Sequence, residues 1–251
     1  MSKHIHIRTE NGITRLTMSR ADKKNALTQD MYAAMADALA AYASDTGARA
    51  FVITGDGDVF TAGNDLQDFS VSEPTEMPPV ARFLSEIRDC PKPVIAAVNG
   101  PAIGVGLTML LHCDLVYAAQ SARFSAPFVK LGLVPEAASS LLLPASVGMA
   151  VANDILLAGR TLNAQEAHHY GLVSRVFEDA ELAAAVEEIA ATIAGSAPSS
   201  LKRSKELIRN RRDQIADHMA TEGKAFAHQL KSSDFSESVA AMMEKRPPVY
   251  S

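Results

Sequence analysis

The chain of 251 residues has no tryptophan, only two cysteines and 6% aromatic residues. Cys90 and Cys113 cannot form a disulfide framework, so a packed apolar core must carry the fold, and a reducing, cytoplasmic setting is expected. A surplus of positive charge is also missing: 24 Lys and Arg against 29 Asp and Glu give a net charge of −5. Nucleic acid is therefore not the expected partner, because phosphate binding wants a basic face. Long hydrophobic runs are absent as well. The most apolar stretch, 93–119, is interrupted by Asn99, Gly100, Pro101, His112 and Asp114, and its uncharged part from Pro101 to Leu111 is too short to span a bilayer. No apolar segment follows Met1-Ser2-Lys3-His4-Ile5-His6, so no secretory leader is expected, and Val249-Tyr250-Ser251 does not match a peroxisomal address. Glycine and proline are too sparse for a collagen-like or disordered chain. His4/His6 and His168/His169 lack further ligands at metal-binding spacing, so no metal is expected. Neither a G-x-S-x-G elbow nor a Walker A motif occurs.

What remains is a chain with 47% apolar residues, enough for one large domain with a small appendage. Ile5–Thr9 and Thr14–Thr17 alternate apolar and polar residues around Asn11-Gly12, a hairpin pattern. Thr28 can cap a helix reaching about Ala43, with Met31, Met35, Leu39 and Tyr42 on one face. Ala50–Thr54 and the wholly apolar Val94–Val98 read as buried strands. A helix is expected over Pro79–Asp89, another near 104–112, and a strand at Leu115–Ala119. Asn163 and Glu166 form a capping-box pair for a short helix stopped at Gly171, followed by a strand at Val173–Val176. From about Asp179 onward the pattern is helical. Strand–helix alternation with a helical tail predicts an α/β fold, with a boundary near Gly195 that divides a core, 1–195, from a C-terminal region, 196–251.

Three segments carry chemistry. In Phe60-Thr61-Ala62-Gly63-Asn64-Asp65-Leu66, small residues around Gly63 let a ligand approach the backbone closely, and an exposed Asn64 N–H could donate to it; taken alone, an ordinary loop before a helix is the plainer reading. Asn99-Gly100-Pro101-Ala102-Ile103-Gly104-Val105-Gly106 follows a buried strand and opens a helix. Its N–H groups suit a developing oxyanion, while close helix–strand packing is the plainer reading. A dinucleotide fingerprint does not fit, because Met109 stands where the third glycine belongs. In Leu131–Ser140, Glu136 either favours a helix N-terminus or acts as a general base in an apolar pocket with Leu133 and Phe128, where burial would bring its pKa toward neutrality. Lys202, Arg203, Lys205, Arg209, Arg211 and Arg212 read as a solvated helix face.

Together and in this order, these segments resemble the crotonase (enoyl-CoA hydratase/isomerase) superfamily. The similarity begins at Arg20-Ala21-Asp22-Lys23-Lys24-Asn25-Ala26-Leu27, continues through Phe60–Leu66, Pro91–Gly106 and Gly159–Val176, and ends near Glu244-Lys245-Arg246-Pro247-Pro248. The resemblance implies a spiral of ββα units with a C-terminal helical trimerisation region, and a homotrimer or a homohexamer made of two trimers. It implies an acyl-CoA thioester as partner, with coenzyme A entering as part of the substrate, no separate cofactor and no membrane partner. The thioester enolate would be stabilised by the N–H groups of Asn64 and Val105. Contacts to the substrate would come from Lys23, Lys24, Ala26, Ala62, Gly63, Asp65, Leu66 and Gly104, with Thr108, Phe128 and Leu133 around the acyl group; Lys245 and Tyr250 are further contributors from the tail.

The family's hydratases place two glutamates for syn addition of water. At the matching positions this chain has Thr108 and Phe128, and neither can act as a carboxylate base. A double-bond shift from 3-enoyl to 2-enoyl thioester needs one base, and Glu136 supplies it on this segment. Leu131–Ser140, Asn99–Ala102 and Phe124–Phe128 also resemble the peroxisomal-type Δ3,Δ2-enoyl-CoA isomerase branch. Three activities stay in view: this isomerisation, a 2-enoyl-CoA hydration or other enolate reaction on the same scaffold, and non-catalytic binding of CoA esters.

Overall fold

The computed structural model describes residues 2–65 and 77–250. A six-stranded sheet forms its centre, built from β1 (Ile5–Glu10), β2 (Ile13–Met18), β3 (Ala50–Gly55), β4 (Val94–Val98), β6 (Leu115–Ala119) and β9 (Arg175–Phe177). The first pair is antiparallel, as the Asn11-Gly12 turn requires, and the remaining pairs are parallel. Side-chain alternation divides the sheet between two cores. Phe51, Ile53, Val94, Ala96 and Val98 join the larger core with α1 (Gln29–Ser44) and α2 (Pro79–Asp89), whereas Ala50, Val52, Ile95 and Ala97 face α7 (Leu182–Ala194) through Leu182, Val186 and Ala190. Burial on both faces explains why β4 is apolar at every position.

A second, three-stranded sheet positions the functional segments. It consists of β5 (Ala102–Ile103), β7 (Arg123–Ser125) and β8 (Leu162–Asn163). Strands of two or three residues carry no readable alternation, so the sequence does not announce them. Directly after β5, the helix expected near 104–112 forms as α3 (Val105–Thr108) and tightens into a 3₁₀ turn at Met109–His112. Behind Glu136 come α4 (Ser139–Val147) and α5 (Met149–Leu156). The Asn163–Glu166 capping box opens α6 (Ala164–His169) as expected. The strand expected at Val173–Val176 instead starts at Arg175, because the Leu172 and Val173 N–H groups both donate to Ala167 O and close the end of α6.

The tail is helical throughout: α8 (Pro198–Ile208), α9 (Arg212–Gln229) and α10 (Ser233–Glu244). Here the solvated-face reading holds for the exposed Lys202, Arg203 and Arg211 and needs correction for Lys205 and Arg209. Lys205 is buried, donating to Lys92 O at 2.7 Å and to Asp114 Oδ2 at 2.6 Å, and Arg209 donates to the carbonyls of Leu111 and Cys113. Helical periodicity places both on a polar stripe, but that stripe packs on part-buried acceptors: Asp114 and Lys92 O for Lys205, and the carbonyls at the end of the 3₁₀ turn for Arg209. Among the described residues, no helix is long and apolar enough to cross a membrane.

Candidate active site

Two loops bring the expected oxyanion donors together through main-chain bonds. Leu27 N–H donates to Gly63 O at 2.8 Å, and Asp65 N–H donates to Leu27 O at 2.9 Å. In the same way, Thr61 N–H donates to Pro101 O at 3.1 Å, and Ile103 N–H donates to Thr61 O at 3.0 Å. Such close approach excludes side chains at two points. A Cβ on Gly63 would lie 2.9 Å from Ile103 O, and one on Gly106 would lie 2.6 Å from Thr61 Cγ2. Gly63 also has φ of +93°, a conformation other residues adopt only under strain. With neighbouring groups paired, the N–H groups of Asn64 and Val105 have no hydrogen-bond partner among the described residues. Val105 is the first residue of α3, so helix geometry leaves its N–H unpaired, and Gly104 ahead of it is pinned by its N–H to Ser125 O at 2.8 Å.

Glu136 lies on the turn before α4 and is buried. Burial first, and the charge of Glu222 second, push its carboxyl up from an ordinary 4.5 to about 7. Its Oε1 is buried with no hydrogen-bond partner among the described residues. The turn is held in an unusual shape, with Ala137 and Ala138 in left-handed conformation at φ of 60° and 55°. His112, also buried, holds it from below through its Nε2, 2.8 Å from Ala137 O. Burial drives the His112 pKa down to about 4, so the ring is neutral near pH 7 and donates to that carbonyl. Tyr32 links this turn to the donor loops. Its hydroxyl donates to Asn64 Oδ1, and its acidity is suppressed first by burial and then by the charge of Glu136.

The other expected site residues distribute around this core. Lys23 and Lys24 are exposed at the rim, on the 3₁₀ turn Ala21–Lys23 and its left-handed end. Ala26 and Ala62 are half-buried, and Ala62 N–H donates to Lys24 O at 2.9 Å. Asp65 pairs with Arg20 Nη1 at 2.6 Å, and the same nitrogen donates to Ala26 O at 3.0 Å, so this ion pair fastens the rim to the donor loop. Thr108, Phe128 and Leu133 are buried, and Leu133 N–H donates to Phe128 O at 2.8 Å. Leu66 falls outside the described residues. Lys245 ends α10 and is exposed, while the Tyr250 hydroxyl lies 3.0 Å from Ser238 Oγ. Sequence reasoning missed Arg20, Asn25, Tyr32 and the structural use of His112. Asn25 is fully buried; its side-chain amide donates to Asp56 O and Val59 O and its Oδ1 accepts Arg20 N–H. Its one signal is a polar amide inside the matching segment 20–27. Tyr32 gives none, since an aromatic residue in a helix reads as core.

The unpartnered Asn64 and Val105 N–H groups stand on loops bonded to each other, and Tyr32 connects them to the turn carrying the buried Glu136, whose carboxyl is raised to about 7. The chain belongs to the enoyl-CoA hydratase/isomerase family, whose model matches residues 8–251. It is 40% identical over 215 residues to enoyl-CoA delta isomerase 2 of Rattus norvegicus; the match covers 83% of this chain and 55% of that protein, so the chain spans about half of that relative's length. It is 34% identical over 260 aligned positions to 1,2-epoxyphenylacetyl-CoA isomerase of Escherichia coli K12, covering 100% of this chain and 99% of that one. The crystal structure of an enoyl-CoA hydratase/isomerase from Pseudoalteromonas atlantica T6c superposes with a TM-score of 0.97 at 53% identity, covering 99% of this chain and 100% of that chain.

Proposed function

We propose that this protein is an enoyl-CoA isomerase that shifts the double bond of a 3-enoyl-CoA thioester to the 2-position. The observation that carries this reading is the buried Glu136 carboxyl, with a free Oε1 and a pKa raised to about 7, connected through Tyr32 to the loop of the unpaired Asn64 N–H, which is itself bonded to the loop of the unpaired Val105 N–H. The Glu136 carboxylate takes a proton from C2. The C–H electron pair delocalises through the thioester onto its oxygen, which the two N–H groups hold, and through the C3=C4 bond. Glu136 then returns the proton at C4, leaving the double bond between C2 and C3. A group poised near neutrality both accepts and donates readily, which suits a single shuttle. Thr108 and Phe128 offer no second acid, and this favours a proton shift over water addition. The name of the rat relative supports the same reading.

Coenzyme A enters as part of the substrate, held by the rim around Lys23, Lys24, Ala26 and Ala62. The assembly we propose is a homotrimer or a pair of trimers built through the C-terminal region 196–251. Exposed Leu207, Ile208 and Met243 on the tail helices support it, since large apolar side chains gain from being covered. Light scattering would give the mass directly.

A second reading, another enolate reaction on the same scaffold, is favoured by the name of the Escherichia coli relative. The test is an assay of 3-enoyl-CoA and 2-enoyl-CoA side by side with the wild-type protein and Glu136→Gln. Isomerisation that disappears in the variant supports the proposal. Fast hydration of 2-enoyl-CoA with little double-bond migration, or a Glu136→Gln variant that isomerises near normally, overturns it.

A further inference from the structure

The base-bearing turn has a buried neighbour that the mechanism above does not use. Glu222, on α9, is 7% exposed. Its Oε1 accepts the Ser140 N–H at 2.9 Å and lies 2.5 Å from Ser140 Oγ. Ser140 is the second residue of α4, and Ala138, at the N-cap, has no side-chain oxygen with which to satisfy that helix start. Glu222 fills this capping role from 82 residues further along the chain. On the other side, His218 Nε2 lies 2.8 Å from Ser140 Oγ. The single hydroxyl proton cannot serve both neighbours, so with Ser140 donating to Glu222, His218 donates to Ser140. The remaining oxygen, Glu222 Oε2, is buried without a hydrogen-bond partner among the described residues, as are Glu136 Oε1 and Ser139 Oγ.

We propose that Glu222 is a positioning residue for the Glu136 base: its carboxylate seats the start of α4, and with it the Glu136 turn, and holds a second negative group beside the reacting carboxyl. The proposal rests on the reading of Glu136 as the proton shuttle. Ser139 N–H donates to Glu136 O at 3.0 Å, so the residue next to the Glu222 anchor is bonded directly to the base-bearing residue. Like charges confined near each other favour the protonated form of one of them, and the charge of Glu222 is the second cause of the raised Glu136 pKa, after burial. Glu136 also faces Tyr32 from α1 and, through Ala137, the neutral His112 with Arg88 and Arg209 behind it; His218 stands one helical turn before Glu222. None of these supplies the second carboxylate, and only Glu222 has its charge tied to the helix start.

The experiment compares Glu222→Gln, which keeps an acceptor for Ser140 N–H and removes the charge, with Glu222→Ala, which removes both. Each is made in the full chain. The Glu136 carboxyl is titrated by NMR in protein labelled with ¹³C-glutamate, its signal assigned by loss in Glu136→Gln. The pH dependence of kcat is followed with 3-enoyl-CoA. In Glu222→Gln the Glu136 midpoint falls below the wild-type value but stays above 4.5, because burial is the larger cause, and the kcat profile moves with it. In Glu222→Ala the plateau kcat falls roughly tenfold or more, as expected for a displaced catalytic group, and Gln restores most of that loss. A purely structural role would leave both midpoints in place. An unchanged NMR midpoint in Glu222→Gln, or a Glu222→Ala plateau within twofold of wild type, overturns the proposal. Near-normal isomerisation by Glu136→Gln would instead remove the shuttle reading itself, and the NMR midpoint separates the two failures because it does not depend on turnover.

Discussion

The donor loops are fastened by main-chain hydrogen bonds between segments 24–27, 61–65 and 101–106, whereas the turn that carries Glu136 is fastened by side chains arriving from elsewhere, His112 beneath Ala137 and Glu222 on Ser140. The first arrangement asks little of residue identity beyond room at Gly63 and Gly106, so Val105 can keep its isopropyl group without losing the donor. The second is set by specific charges and rings. Under the proposed function, a carbonyl cradle built from backbone stays constant while the proton-moving group is free to change, which would let one scaffold host several reactions.

The largest expected effect isolates the base. Glu136→Gln keeps shape and burial but removes the proton acceptor, and kcat for the double-bond shift should fall about 10²- to 10⁴-fold. Affinity for a saturated acyl-CoA, measured by calorimetry, should hardly change, because the donor loops are untouched. A parallel loss of affinity would show that the two sides of the site are not separable. In the wild-type protein, kcat/KM should rise with pH around about 7 as Glu136 ionises.

The donor side breaks through its backbone. Gly63→Ala places a Cβ 2.9 Å from Ile103 O at a φ of +93°, and the loop must shift. Displacing an oxyanion donor should lower kcat about 10²-fold or more. Here the Glu136 titration, followed by NMR, should stay at its wild-type midpoint. A moved midpoint would mean that the donor loop, and not only burial and Glu222, sets the acidity of the base.

This division explains what could be read from the chain. β4, β6 and α2 were legible to the residue, because continuous apolar runs and a proline-started amphipathic helix announce themselves locally. The donor loops were legible as glycine-bearing segments at strand ends. The supports of Glu136 were not: His112 lies 25 residues before its acceptor and Glu222 lies 82 residues after its donor, and no local pattern encodes such pairings. For the same reason Lys205 and Arg209 read as solvated, although they are docked on Asp114 and on carbonyls at the end of the 3₁₀ turn. Identity at a position was readable, but the partner of a buried charge was not.

A carboxyl kept near neutrality also leaves a mark on stability. Between pH 4.5 and about 7 the folded protein holds the Glu136 proton that the unfolded chain releases. Stability is therefore lost as pH rises through this window, and the full penalty, on the order of 3 kcal/mol, is present above it. Glu136→Gln never ionises. It should melt with the wild type at pH 4 and several degrees above it at pH 8, a shift of roughly 5–10 °C by calorimetry. Equal melting temperatures at pH 8 would mean that the buried carboxyl is not strained by its ionisation.

The smallest expected effect falls where the two sides meet. Tyr32 donates its hydroxyl to Asn64 Oδ1, and its ring packs 5.6 Å from that of Phe83. Tyr32→Phe keeps the packing and removes one hydrogen bond, a loss of about 1 kcal/mol, or roughly fivefold in kcat/KM if all of it is felt in the transition state. The Asn64 N–H stays in place because the Leu27 bonds to Gly63 and Asp65, on either side of it, do not involve the side chain. The Glu136 midpoint should barely move, since an un-ionised hydroxyl contributes no charge. A loss of a hundredfold would instead put the Tyr32 hydroxyl on the reacting thioester, and the donor side would then owe its function to a side chain as much as the base side does.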